Sequence, residues 1–206
     1  AIQRIVDQVF NPAGHAGVMC TIVGSDAEVG EALINDRRVP LISATGSCRM
    51  GRHVGATVAG RLGRSLLELG GNNAIIVDDS ADPEISLRGI VFGAVGTAGQ
   101  RCTTTRRLLL HRSIAETFVE RLAAAYQTVS IGDPLEDGVL MGPLINEQAV
   151  AGFEAAVAAA VAEGGKVIIG GNALRDRAGH FVEPTIIWSE EPLEISRDET
   201  FAPILY

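Results

Sequence analysis

Short apolar runs alternate with stretches of helical spacing along almost the whole chain, and this alternation constrains the fold more than any other feature. Ile2, Ile5, Val6 and Val9 recur at helical spacing, and Asn11-Pro12 ends that segment. Val18 to Val23 reads as a short buried strand closed by Gly24-Ser25-Asp26, and Ser25 or Asp26 can cap a helix to about Asn35. Val39 to Ala44 is a second apolar run, followed by Thr45-Gly46-Ser47 and a helical pattern to about Leu62. Ser65 to Leu69 and Ala74 to Val77 are further strands, separated by Gly70-Gly71-Asn72-Asn73. The second half repeats the pattern: a helix from Asp82 to about Thr97, a Gly-rich loop around Cys102, a strand at Arg107 to His111, and a helix from Ala115 to Val129. That helix carries Phe118, Leu122 and Tyr126 on one face. After a loop from Gly132 to Pro143, a helix from Gln148 to Glu163 stops at Gly164-Gly165. Lys166 to Ile169, Phe181-Val182 and Thr185 to Trp188 then look like strands. The expected class is α/β, with βαβ units and a largely parallel sheet.

At 206 residues, 47% hydrophobic and 20% charged, the chain has enough apolar surface for a sizeable core, which excludes disorder. No apolar stretch reaches the roughly 18 residues of a membrane span. The net charge is −8, and Lys166 is the single lysine against sixteen arginines, so nucleic acid and anionic membranes are poor partners. Cys20, Cys48 and Cys102 are odd in number without a CxxC pair, which argues for a reducing compartment. His15, His53, His111 and His180 lack metal-ligand spacing, so no metal is expected. The chain opens directly on a helical pattern without a secretory leader, and the cytoplasm is the expected location.

Four segments have the residue types that chemistry needs. Cys102 lies in Gly99-Gln100-Arg101-Cys102-Thr103 with Arg101, Arg106 and Arg107 close in sequence, a setting compatible with a thiolate nucleophile. It is equally compatible with a small buried hydrophobe. Cys20, in an apolar run, reads as core, and Cys48 as a bystander in a loop. Glu68 ends the apolar strand Leu66-Leu67-Glu68-Leu69 before two glycines. Desolvated there it would suit a general base, whereas pointing outward it would be an ordinary surface acid. Thr45-Gly46-Ser47-Cys48-Arg49-Met50-Gly51 is a strand end entering a helix, where free N–H groups can hold a pyrophosphate, although such junctions are common. Glu199 and Phe201 could grip a ribose and a ring, or form a surface turn.

These motifs also occur together in one order and spacing. Glu68-Leu69-Gly70-Gly71, then Gly99-Gln100-Arg101-Cys102 thirty-four residues after Glu68, then Glu199-Thr200-Phe201-Ala202-Pro203, resembles the aldehyde dehydrogenase superfamily. Gly63-Arg64-Ser65-Leu66-Leu67-Glu68-Leu69-Gly70-Gly71-Asn72-Asn73 and Gly96-Thr97-Ala98-Gly99-Gln100-Arg101-Cys102-Thr103 look like its antiquitin branch, the α-aminoadipic semialdehyde dehydrogenases of lysine breakdown. The resemblance spans essentially the whole chain. It implies an aldehyde dehydrogenase-like α/β fold holding parts of two domains. Residues 1–70 would be the later part of a Rossmann-type dinucleotide-binding domain, and 71–206 a catalytic domain truncated at its C-terminal end.

The resemblance implies NAD-dependent oxidation of a small-molecule aldehyde to the acid. Cys102 would be the nucleophile and Glu68 the base. Thr103 and Arg101 would touch substrate, Arg101 at a distal carboxylate. Gly30, Glu31, Gly46, Ser47 and Gly51 would line the dinucleotide site, Leu69 would border the nicotinamide, and Glu199 and Phe201 would hold its ribose and ring. A homo-oligomer, tetramer or dimer, is implied for the full-length protein. Ala44 stands where the family usually has Phe, and Cys48 where Thr is common. The family's oxyanion asparagine and its substrate-anchoring loop fall outside these residues. Two other readings follow: a relative that transfers the thioester to coenzyme A, against which Glu68 argues, and a non-catalytic dehydrogenase fragment.

Overall fold

The computed structural model describes all 206 residues. They divide into two compact units, Ala1–Leu69 and Gly70–Tyr206.

The first unit contains α1 (Ile2–Phe10), a π-turn at Asp26–Gly30 leading into α2 (Glu31–Asn35), β1 (Leu41–Thr45), α3 (Cys48–Gly60) and β2 (Arg64–Glu68). β1 and β2 pair in parallel from Leu41 opposite Arg64 to Thr45 opposite Glu68, with α3 as the crossover. This βαβ arrangement follows from the periodicity, since parallel strands need a connection long enough to return to the same sheet end. Ile34, Ile42, Val54 and Val58 form its small core. Ser25 caps the π-turn and Ser47 caps α3, each accepting from the N–H three residues on.

Two expectations fail in this unit. Val18 to Val23 is not a strand, and Val18, Met19, Ile22 and Val23 are all exposed. Cys20 is exposed as well, not core. A strand needs a neighbour for its backbone groups, and this unit's sheet has only β1 and β2, neither of which pairs with the run. The segment is tethered instead by Gln3, whose amide accepts from Thr21 N at 2.6 Å and donates to Met19 O at 3.1 Å. Cys48 is likewise not in a loop; it is the first residue of α3, and exposed.

The second unit begins with β3 (Asn73–Val77), α4 (Pro83–Val95) and β4 (Thr105–Leu110), another parallel βαβ. Asp82 caps α4 through Oδ1, accepting from Glu84 N and Ile85 N, with Pro83 at the first helical position. α5 (Ala115–Gln127) and α6 (Glu147–Ala162) follow, then β5 (Lys166–Ile169), β6 (Thr185–Trp188) and β7 (Ile204–Leu205). β6 pairs antiparallel with β5 and parallel with β7. The β5–β6 connection contains no crossover helix, so the antiparallel arrangement is open to it. Phe181-Val182 makes only a single bridge, Val182 to Ala173, and Asn172 N donates to the Glu183 carboxylate rather than extending the ladder.

Phe118, Leu122 and Tyr126 of α5 pack with Phe153 of α6, Ile90 of α4, Met141 and the β6–β7 side chains in one core. Phe153 is fully buried, whereas Leu135 is 92% exposed. Phe153→Ala should therefore destabilise the chain by about 3–5 kcal/mol and Leu135→Ala by no more than about 0.5 kcal/mol, measured by urea denaturation.

Both tyrosines lie in this unit, and burial raises both phenol pKa values, that of Tyr206 to about 12 and that of Tyr126 further. Below the ordinary value of 10.0 both folded and unfolded states keep the protons, so the burial contribution is fully present. As pH rises above it the unfolded state loses protons first, and stability falls toward the folded-state values. Denaturation midpoints should decline above about pH 10, and Tyr206→Phe should make that decline shallower.

Candidate functional site

Cys102 sits in the turn between α4 and β4, and its thiol is exposed. The turn is built unusually. Thr97, Ala98 and Gly99 take φ of +53°, +52° and +71°, a run of left-handed residues just before it. The two non-glycine positions each cost on the order of 1 kcal/mol, so surrounding contacts must hold the turn. At Gly99 a side chain is excluded outright: a Cβ would lie 2.2 Å from Ala202 O.

Three sets of bonds secure the turn. Asn73, at the start of β3, donates its amide to Cys102 O at 2.7 Å and Thr104 O at 2.9 Å. Thr104 is buried, and its hydroxyl accepts from Arg101 N while Thr104 N donates to Arg101 O. Arg106 donates Nη2 to Gly99 O at 3.3 Å and Arg101 O at 3.1 Å. The main-chain N–H groups of Cys102 and Thr103 donate to nothing in the chain, which leaves them available to an oxyanion beside the thiol.

The three arginines near the cysteine have different environments. Arg101 stacks its guanidinium 5.1 Å from the Phe92 ring centre, with a long 3.4 Å bond to Phe92 O. Arg107 donates to Asn72 O. Arg106 is buried and pairs with Glu199 Oε1 at 3.1 Å. Glu199 Oε1 also accepts from Gly71 N, and the Phe201 ring, half exposed, lies 5.5 Å from the Arg106 guanidinium carbon. Thus Cys102, Thr103, Arg101, Glu199 and Phe201 belong to one unit, and Arg106 contacts the segments carrying all of them. Sequence reading missed Arg106 and Asn73 in these roles. The one available signal was an arginine at the start of an otherwise apolar strand.

The remaining candidates belong to the first unit. Gly46, Ser47 and Gly51 form the β1–α3 junction. Gly46 N donates to Glu68 O, Ser47 Oγ accepts from Met50 N, and Gly51 N bonds Ser47 O. Cys48 N and Arg49 N have no partners within the chain, so the first turn of a thirteen-residue helix presents free donors at its positive end. This donor set fits a pyrophosphate. Gly51 allows Leu69 to approach: a Cβ there would lie 2.4 Å from Leu69 Cδ2. Gly30 ends the π-turn, and Glu31 opens α2, where its carboxylate meets His53 Nε2 at 2.6 Å. Glu68 ends β2 and is exposed, which is the outward-facing one of the two alternatives left open for it. A short edge strand of a two-stranded sheet supplies no apolar cover for it.

Comparison with known proteins shows the same relationship along the whole chain. The sequence profile of the aldehyde dehydrogenase family matches residues 2–206. An aldehyde dehydrogenase family 7 member A1 from Brassica napus is 47% identical over 206 residues, covering 100% of this chain and 42% of the relative. An α-aminoadipic semialdehyde dehydrogenase from Bos taurus is 47% identical over 207 residues, covering 100% of this chain and 38% of the relative. Among solved structures, a lactaldehyde dehydrogenase from Escherichia coli superposes with a TM-score of 0.93 at 36% identity, over 98% of this chain and 42% of that one. A betaine aldehyde dehydrogenase from Staphylococcus aureus in complex with NAD+ gives 0.85 at 30% identity, over 89% and 37%. The chain spans about two fifths of the length of the curated relatives it matches.

Asn73→Ala should loosen the Cys102 turn, since two carbonyl acceptors lose their donor. The expected cost is about 1–3 kcal/mol, together with faster amide exchange at residues 101–104 seen by hydrogen–deuterium exchange mass spectrometry.

Proposed function

The chain belongs to the aldehyde dehydrogenase family, and from that premise we propose that it is part of an enzyme oxidising a semialdehyde, of the α-aminoadipic type, to its carboxylic acid with NAD. The observation that carries the reading is the Cys102 turn: an exposed thiol beside free main-chain N–H groups, clamped at its carbonyls by Asn73 and Arg106. In this reading Ala1–Leu69 is part of the dinucleotide-binding domain and Gly70–Tyr206 part of the catalytic domain.

The Cys102 thiolate attacks the aldehyde carbon, and the oxygen that becomes negative is stabilised by the free Cys102 N–H. NAD, when bound, would supply the hydride acceptor needed to oxidise this adduct to a thioester on Cys102. Glu68 removes a proton from the water that hydrolyses the thioester; an exposed carboxylate is open to that water. The α3 N-terminus with Gly46, Ser47 and Gly51 would hold the pyrophosphate of a bound dinucleotide, Gly30 and Glu31 would line its site, and Leu69 would border its nicotinamide. Glu199 and Phe201 would hold its nicotinamide ribose and ring. Thr103 contacts substrate. Arg101, held only by stacking and one long hydrogen bond, receives a distal carboxylate. The likeness to a structure solved with NAD+ supports the cofactor, and the 47% identity to α-aminoadipic semialdehyde dehydrogenase supports the substrate class.

In the full-length protein, Cys102→Ser should reduce aldehyde-dependent NADH formation by about 10³-fold or more. Glu68→Gln should keep a first-turnover burst of NADH while slowing the steady state by about 10²-fold. Normal turnover in the Cys102 variant would overturn the assignment.

A further inference from the structure

We propose that Arg106 is a positioning residue that holds the Cys102 turn and the Glu199–Phe201 segment in one frame, so that the nucleophile and the nicotinamide seat are placed together. The proposal rests on the aldehyde dehydrogenase reading above.

Its guanidinium makes five contacts from three nitrogens. Nε donates to Gly71 O at 3.2 Å, Nη1 to Thr200 O at 2.7 Å, and Nη2 reaches Gly99 O, Arg101 O and Glu199 Oε1. These acceptors lie on three segments that are far apart in sequence: the Gly70-Gly71 turn, the loop carrying Cys102, and the stretch from Glu199 to Phe201. The side chain is 3% exposed, so water does not replace a lost contact. It stands at a β-bulge: Asn73 is opposite Thr105 and Ala74 opposite Arg107, leaving Arg106 as the extra residue of β4.

The chemistry requires arginine. Its planar fork can serve several carbonyls and one carboxylate at fixed angles, whereas lysine offers one nitrogen at one point. Burial lowers the guanidinium's pKa and the Glu199 carboxylate offsets this, so the pair is mutually dependent. Through Nη2 the guanidinium also holds the carbonyls of Gly99 and of Arg101, the residue directly before Cys102. Breaking the Arg106–Glu199 pair from either side should therefore be felt at Cys102 even when no cofactor is bound.

The test uses full-length enzyme carrying Arg106→Lys or Glu199→Gln, with the rate of Cys102 alkylation by iodoacetamide in the absence of NAD followed by peptide mass spectrometry. Both variants are expected to change that rate at least threefold per folded molecule, and Arg106→Lys to lower kcat at least tenfold with a raised KM for NAD. A merely structural arginine would reduce the folded fraction without altering the rate per folded Cys102. A folded Arg106→Lys enzyme whose alkylation rate changes less than threefold overturns the proposal. Should that variant not fold, Glu199→Gln decides: a carboxylate serving only the cofactor leaves the NAD-free rate within threefold of wild type, and that result overturns the proposal too. Wild-type protein that forms no NADH from semialdehydes overturns the functional reading and this proposal together, whereas active wild type with unaltered variants overturns this proposal alone.

Discussion

A buried guanidinium cannot shed its charge, so each of its nitrogens must find an acceptor or the charge must not be buried at all. Arg106 meets that demand with four carbonyls and one carboxylate. Those acceptors belong to backbone that is otherwise irregular: a left-handed run at Thr97 to Gly99, a glycine turn, and a segment ahead of a two-residue strand. None of these segments could keep its shape from local hydrogen bonding alone. The Cys102 turn, the most strained part of the backbone, depends on Arg106 and Asn73 for the acceptors they satisfy.

The first unit solves a simpler problem by simpler means. Its candidate ligand groups are consequences of one βαβ crossover: a strand ends, glycine and serine turn the chain, and α3 begins with two N–H groups that no residue of the helix can reach. The apolar face of α1 and the run from Val18 to Val23 contribute nothing to its core, which consists of only four buried side chains. Stability is therefore unevenly distributed, with most buried apolar surface gathered by α4, α5, α6 and β6 in the second unit.

Periodicity was a good guide wherever burial was one-sided. Phe118, Leu122 and Tyr126 recur at helical spacing and are all buried on α5, and Ser25, one of the two residues offered as a cap, accepts from Glu28 N. It misled at Val18 to Val23, because an apolar run specifies a wish to be buried and not the neighbour that would bury it. It also left Glu68 undecided between two faces, and the short edge strand puts it outside. Arg106 was invisible for a related reason: an arginine in a strand is ordinarily an outward-facing residue, and the acceptors that hold this one in the interior lie mostly far away in sequence.

The amino-acid sequence by itself determined the α/β alternation, the parallel βαβ crossovers and the family to which the chain belongs, because these depend on residue type at short spacing and on motif order. Tertiary structure alone decided which acceptors surround Arg106, that Asn73 holds the Cys102 carbonyl, and that Glu199 is shared between a guanidinium and the Gly71 amide. Apart from the Arg106 bonds to Gly99 and Arg101, those bonds join residues 29 to 128 positions apart. No local propensity encodes them. They form only when packing brings distant backbone acceptors within hydrogen-bond distance, where a buried charge makes leaving them unpaired too costly.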